Sequence, residues 1–108
     1  MHGQLLILGI QGLELTPEEA ELYKTVQPGG YVLFGRNIES PEQVRKLTDD
    51  LRELSESTPI ISIDQEGGRV SRTRHIGNEP PSAASLRQKN NPGLIAQHGK
   101  LTAFLLRL

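Results

Sequence analysis

Two carboxylates, an amide, two glycines and two arginines fall within one stretch, Asp64-Gln65-Glu66-Gly67-Gly68-Arg69-Val70-Ser71-Arg72. The carboxylates accept hydrogen bonds, the guanidiniums donate them and the amide does both, so the cluster is suited to holding a polar ligand. It follows Pro59 and a short apolar, β-branched run, Ile60-Ile61-Ser62-Ile63, which reads as a buried strand. Asp64 therefore stands where a strand ends, and the glycine pair lets the backbone turn sharply behind it. In parallel α/β folds, ligands bind at the carboxyl ends of strands. A salt-bridged turn that holds no ligand fits the same residues equally well.

Other chemistry finds little support. His2, His75 and His98 have no metal-ligand spacing, and there is no cysteine for a disulfide or a thiolate zinc site. The nucleotide-binding glycine motifs and the Gly-x-Ser-x-Gly elbow are missing, and Gly67-Gly68 alone is a weak phosphate loop. No metal and no cofactor are expected. Twelve basic against thirteen acidic residues give a net charge of −1, so neither nucleic acid nor an anionic membrane is an expected partner. The start, Met1-His2-Gly3-Gln4, lacks the basic region of a signal peptide, and the apolar run Leu5 to Ile10 is too short to span a membrane. A cytoplasmic location is the expectation.

The elements that must position the cluster alternate. Leu5 to Ile10 has the pattern of a strand covered on both faces. Thr16-Pro17-Glu18-Glu19 superimposes an N-cap, a first-turn proline and a capping-box glutamate, and Pro28-Gly29-Gly30 ends that helix. Tyr31 to Phe34 is the second strand, closed by Gly35-Arg36-Asn37. Ser40-Pro41-Glu42-Gln43 repeats the helix start, and Val44, Leu47, Leu51 and Leu54 make an apolar stripe. Asp49, Asp50, Arg52 and Glu53 read as that helix's solvated face. Residues 73–91 read as a long loop with one turn of helix at Ala83 to Leu86, a candidate pocket rim. Asn91-Pro92 then caps a last helix bearing Leu94, Ile95, Leu101 and Leu105 on one side. The order is β-α-β-α-β-loop-α, with a repeat that fits a (β/α)8 barrel and fits a doubly wound sheet as well.

Three stretches resemble glycoside hydrolase family 3, and within it the bacterial β-N-acetylhexosaminidases. They are Gly12-Leu13-Glu14-Leu15-Thr16-Pro17-Glu18, Gly29-Gly30-Tyr31-Val32-Leu33-Phe34-Gly35-Arg36-Asn37-Ile38 and Ile63-Asp64-Gln65-Glu66-Gly67-Gly68-Arg69-Val70. The last is the specific one, and Pro80-Pro81 also resembles the family's segment after it. The resemblance implies an α/β fold, the first three βα units of an incomplete TIM barrel with parallel strands, filling residues 1–108 as a single incomplete domain. It implies hydrolysis of terminal non-reducing N-acetyl-β-glucosamine residues with retention, in cell-wall recycling, on an aminosugar-containing glycan.

By position, the resemblance makes Asp64 the acid that binds sugar hydroxyls and Arg72 an arginine of the same subsite, since ionised groups give the stronger hydrogen bonds. Glu66, Arg69, Arg36 and Asn37 match residues that fix the turns around them. None is catalytic. The family's aspartate nucleophile, its histidine-aspartate acid/base and its Lys-His-Phe-Pro-Gly segment belong to later strands and loops, so this chain is expected to be inactive alone.

Two other readings remain. One is a non-catalytic fragment or remnant that only self-associates. The other is a receiver-type phospho-acceptor domain, against which stand Gln11-Gly12 where acids should bind magnesium, and three strands instead of five. Three strands cannot close a barrel. Exposing their inward aliphatic side chains would cost about 5–10 kcal/mol, comparable to a small domain's whole stability. A homo-oligomer formed through the open sheet face or edge is therefore expected.

Overall fold

The computed structural model describes residues 2–107. Three parallel strands, β1 (Ile7–Gly9), β2 (Gly30–Leu33) and β3 (Ile60–Ile63), form one open sheet in the order β1-β2-β3. Helices α1 (Pro17–Val26) and α2 (Pro41–Leu54) make the two crossovers, and α3 (Ala83–Lys89) and α4 (Pro92–Leu105) follow β3.

Both crossover helices start where local chemistry places them. Thr16 accepts from the Glu19 N–H at 3.1 Å, and the Glu19 carboxylate accepts the Thr16 N–H at 3.1 Å, a complete capping box with Pro17 in the first turn. Ser40 caps α2 through the Gln43 N–H, at 3.2 Å, but the box expected there does not close, because the Gln43 side-chain oxygen accepts the Glu39 N–H at 2.8 Å in place of that of Ser40. The apolar stripe of α2 then buries Val44, Leu47 and Leu51, while Arg45–Asp49 and Lys46–Asp50 pair on its outer side. The α1 helix stops at Gln27, which takes the left-handed conformation at φ 50°.

Alternation along the strands sends Leu8, Tyr31, Leu33, Ile61 and Ile63 to one face. There they meet α1 and α2 in a core of Ile10, Tyr23, Tyr31, Leu33, Ile38, Val44, Leu47 and Leu51. Tyr23 and Tyr31 pack edge to face with ring centroids 5.3 Å apart. The opposite face carries Ile7, Gly9, Val32, Ile60 and Ser62, and the two crossover helices leave it bare. Ile7 is 55% exposed and Ile60 65%.

Several sequence expectations need correction. Leu5 to Ile10 is not a strand covered on both faces. Residues His2–Leu5 form a 3-10 turn, the strand is only Ile7–Gly9, and Leu5 is 84% exposed. Ile60–Ile63 is likewise a half-covered edge strand rather than a buried one. In both cases an all-apolar run marks a demand for cover that the helices of this chain meet on one side only. The second strand begins one residue early, at Gly30, which pairs with Ile7 and Ile60 and lies so close to the Ile60 backbone that a side chain there would strike it. The single turn expected at Ala83 to Leu86 extends to Lys89, capped by Ser82. The last helix forms where expected, at Pro92–Leu105 behind its Asn91 cap, but its apolar residues are not confined to one side and none of them is buried. Among the described residues no helix is long and apolar enough to cross a membrane, and no group of His, Cys, Asp and Glu could hold a metal ion.

Candidate functional site at the strand carboxyl ends

Because the strands are parallel, the segments after each of them gather at one edge of the sheet. After β1 comes Ile10, after β2 come Phe34 to Asn37, and after β3 comes the Asp64–Arg72 turn. Asn37 ties the first two together. Its side chain is fully buried, donates to the Ile10 carbonyl at 3.0 Å and the Gly12 carbonyl at 2.7 Å, and accepts from the Phe34 N–H at 2.9 Å. Arg36 donates through Nε to the same Ile10 carbonyl at 3.0 Å, and its guanidinium lies 4.9 Å from the centre of the Phe34 ring. Arg36 and Asn37 thus hold the ends of β1 and β2 in register.

The third turn folds back on itself. The N–H groups of Glu66 and Gly67 both donate to the Val70 carbonyl at 3.0 Å. Gly67 and Gly68 have φ of 87° and 61°, conformations that side chains disfavour. They are also tightly apposed to the chain near Pro81. A side chain on Gly67 would run into the Pro81 carbonyl and one on Gly68 into Ser82, while the Gly68 N–H donates to the Pro80 carbonyl at 2.9 Å. The glycine pair and Pro80-Pro81-Ser82 are therefore two halves of one packed turn.

This turn carries Arg72 back over Asp64. The Arg72 Nη2 donates to Asp64 Oδ2 at 3.1 Å, and the guanidinium lies 5.8 Å from the Phe34 ring centre. Asp64 keeps 44% of its side chain exposed and Arg72 28%. An ion pair so open to water stabilises a fold by about 0–1 kcal/mol, so folding alone gives weak reason for it. What the pair offers is an acceptor and donors, held at a fixed separation and open to solvent, which suits neighbouring hydroxyls on a polar ligand.

Asp64 and Arg72 are brought together, Arg36 shares the Phe34 ring with Arg72, and Asn37 is buried among backbone groups of Ile10, Gly12 and Phe34. The side chains of Glu66 and Arg69 do not fix the turn as expected. Both residues are exposed, and neither side chain makes a hydrogen bond among the described residues. Backbone bonds and glycine conformations do that work instead. Three residues take roles that the sequence does not assign them: Phe34, against which both guanidiniums lie, and Gln65 with Ser71, which bond to each other at 3.1 Å. Phe34 is one of only four aromatic side chains and directly follows a strand, a signal that the sequence carries. Gln65 and Ser71 carried none that spacing could reveal.

The chain is 38% identical over 94 residues to a β-hexosaminidase of Photobacterium profundum, an alignment covering 87% of this chain and 28% of the relative. A fungal multi-domain GH3 β-N-acetylglucosaminidase superposes with a TM-score of 0.71 at 38% identity, covering 78% of this chain and 10% of that one. NagZ from Neisseria gonorrhoeae, solved in complex with N-trifluoroacetyl-D-glucosamine, gives 0.59 at 37% identity over 62% of this chain and 20% of that one. The chain thus spans less than a third of the length of these relatives. Residues 2–106 match the glycosyl hydrolase family 3 N terminal domain. With that match over nearly its whole length, and with the Asp64–Arg72 turn at the sheet's carboxyl edge, this chain belongs to glycosyl hydrolase family 3.

Proposed function

We propose that the chain forms the first part of the (β/α)8 barrel of a retaining β-N-acetylhexosaminidase, a single incomplete domain that hydrolyses nothing on its own. Its contribution is part of the subsite for a terminal N-acetyl-β-glucosamine residue, with Asp64 and Arg72 hydrogen-bonding sugar hydroxyls and Arg36 and Asn37 holding the adjoining strand ends. The observation that carries this reading is the Asp64–Arg72 pair itself, open to solvent at the carboxyl end of β3. The bound aminosugar analogue of the Neisseria gonorrhoeae relative supports the choice of ligand. The complete protein would cleave O-glycosyl bonds of aminosugar glycans, in cytoplasmic recycling of cell wall.

The chemistry needs two further groups flanking the scissile bond, a nucleophile and an acid/base, and these belong to later elements of the barrel. The test is a chromogenic N-acetyl-β-glucosaminide offered to the chain alone. No turnover is expected, because removing such groups costs orders of magnitude in rate. Turnover at the level of a complete family member, surviving repurification, would contradict the assignment.

The bare sheet face favours a second property of the isolated chain. With Ile7 and Ile60 uncovered and parallel edges unpaired at β1 and β3, the chain should self-associate as a homo-oligomer.

A further inference from the structure

The strand-like pairing inside the Asp64–Arg72 turn is completed by a side chain, not by backbone. Gly67 and Val70 form a single antiparallel bridge, and toward the open end of the turn the next rung would link residues 65 and 72. There the Gln65 side chain substitutes for the backbone. Its Oε1 accepts the Arg72 N–H at 2.7 Å, and its Nε2 donates to the Ser71 hydroxyl at 3.1 Å. Ser71 is 1% exposed, so the amide is clamped against a buried partner.

Arg72 needs such an anchor. Its Nε is buried with no hydrogen-bond partner among the described residues, and the 3.1 Å contact with the half-exposed Asp64 is the one ion pair that aims the guanidinium. Exposed ion pairs of long side chains are weak and poorly directional. A short bond to the Arg72 backbone, one residue from the buried Ser71, fixes where that side chain leaves the main chain.

We propose that Gln65 is a positioning residue for the sugar subsite, setting the separation of Asp64 and Arg72 through the Arg72 backbone without touching the ligand. This rests on the proposed aminosugar subsite, so its test is built to fail separately. The chain, labelled with nitrogen-15, is followed by the Nε–Hε resonance of Arg72 and titrated with N-acetylglucosamine. Gln65→Leu should move that resonance toward the position of a free arginine side chain and weaken sugar binding about tenfold, the equivalent of one lost directional bond. Gln65→Glu keeps an acceptor for the Arg72 N–H and can take a bond from the Ser71 hydroxyl, so it should hold the resonance that the leucine loses.

An unmoved Arg72 resonance in folded Gln65→Leu, unchanged binding there, or equal damage from both substitutions would overturn the proposal. If Gln65→Leu does not fold, Ser71→Ala removes the 3.1 Å clamp alone, and an Arg72 resonance identical to wild type would then count against it. Should the unaltered chain bind no sugar at all, the subsite reading fails while the resonance still decides the role of Gln65.

Discussion

The guanidinium of Arg72 reaches back across an eight-residue separation to the carboxylate of Asp64, 3.1 Å away. Because both are open to solvent, Asp64→Ala should lower stability by no more than about 1 kcal/mol while abolishing any sugar binding the chain shows. Urea unfolding of wild type and variant checks the first half. A loss of several kcal/mol would make the pair a structural lock rather than a ligand site.

Asn37 is the opposite case. It is fully buried and makes three hydrogen bonds to backbone around Ile10, Gly12 and Phe34. Asn37→Ala strands those groups without water and should cost about 2–4 kcal/mol. Denaturant midpoints measure it, and a change under half a kcal/mol, about the size of a neutral surface substitution, would show that the strand ends are held otherwise.

Tyr31 is buried with its hydroxyl unpaired among the described residues. An unsatisfied buried hydroxyl is unfavourable, so Tyr31→Phe should be neutral or stabilise by up to about 1 kcal/mol. A clear loss in the melting temperature would mean that the hydroxyl has a partner.

Tyr23 contributes a pH dependence on the alkaline side. Burial, and secondarily the Glu19 carboxylate, push its hydroxyl above the ordinary 10.0. The folded value lies above the unfolded one, so the stability from this group is whole below pH 10 and is lost as pH rises through the folded value. Tyr23→Phe should remove that alkaline loss, at a neutral-pH cost of about 1 kcal/mol for the 2.7 Å bond to the Gly9 carbonyl. Matching alkaline unfolding curves for the two proteins would contradict this.

What could be read from the sequence divides by range of interaction. The starts of α1 and α2 were legible because Thr16 and Glu19, or Ser40 and Gln43, act within one helical turn of each other. Asp64 was legible because a strand end needs only the apolar run before it. The bare faces of Ile7 and Ile60 were not, since an apolar run states that cover is needed and not which segment supplies it. Gly30 entered β2 because of a neighbour thirty residues away at Ile60, a contact that no local window contains. Gln65 is visible in the sequence only as one polar group of the cluster, since an amide standing in for a backbone rung leaves no periodicity to see.

Self-association has a direct readout in light scattering behind a sizing column. The exposed aliphatic side chains of Leu5, Ile7 and Ile60 on or beside the sheet, with Leu101 and Phe104 on α4, predict a mass above that of one chain at micromolar concentration. A well-folded monomer would show that this surface tolerates water.

An aminosugar subsite at the Asp64–Arg72 turn must respond to added sugar. A nitrogen-15 correlation spectrum of the chain, titrated with N-acetylglucosamine into the millimolar range, tests it most directly. Saturable shifts confined to Phe34, Arg36 and the residues from Asp64 to Arg72, lost in Asp64→Ala, are the predicted result. Spectra that do not change, or saturable shifts elsewhere that survive in Asp64→Ala, would contradict it.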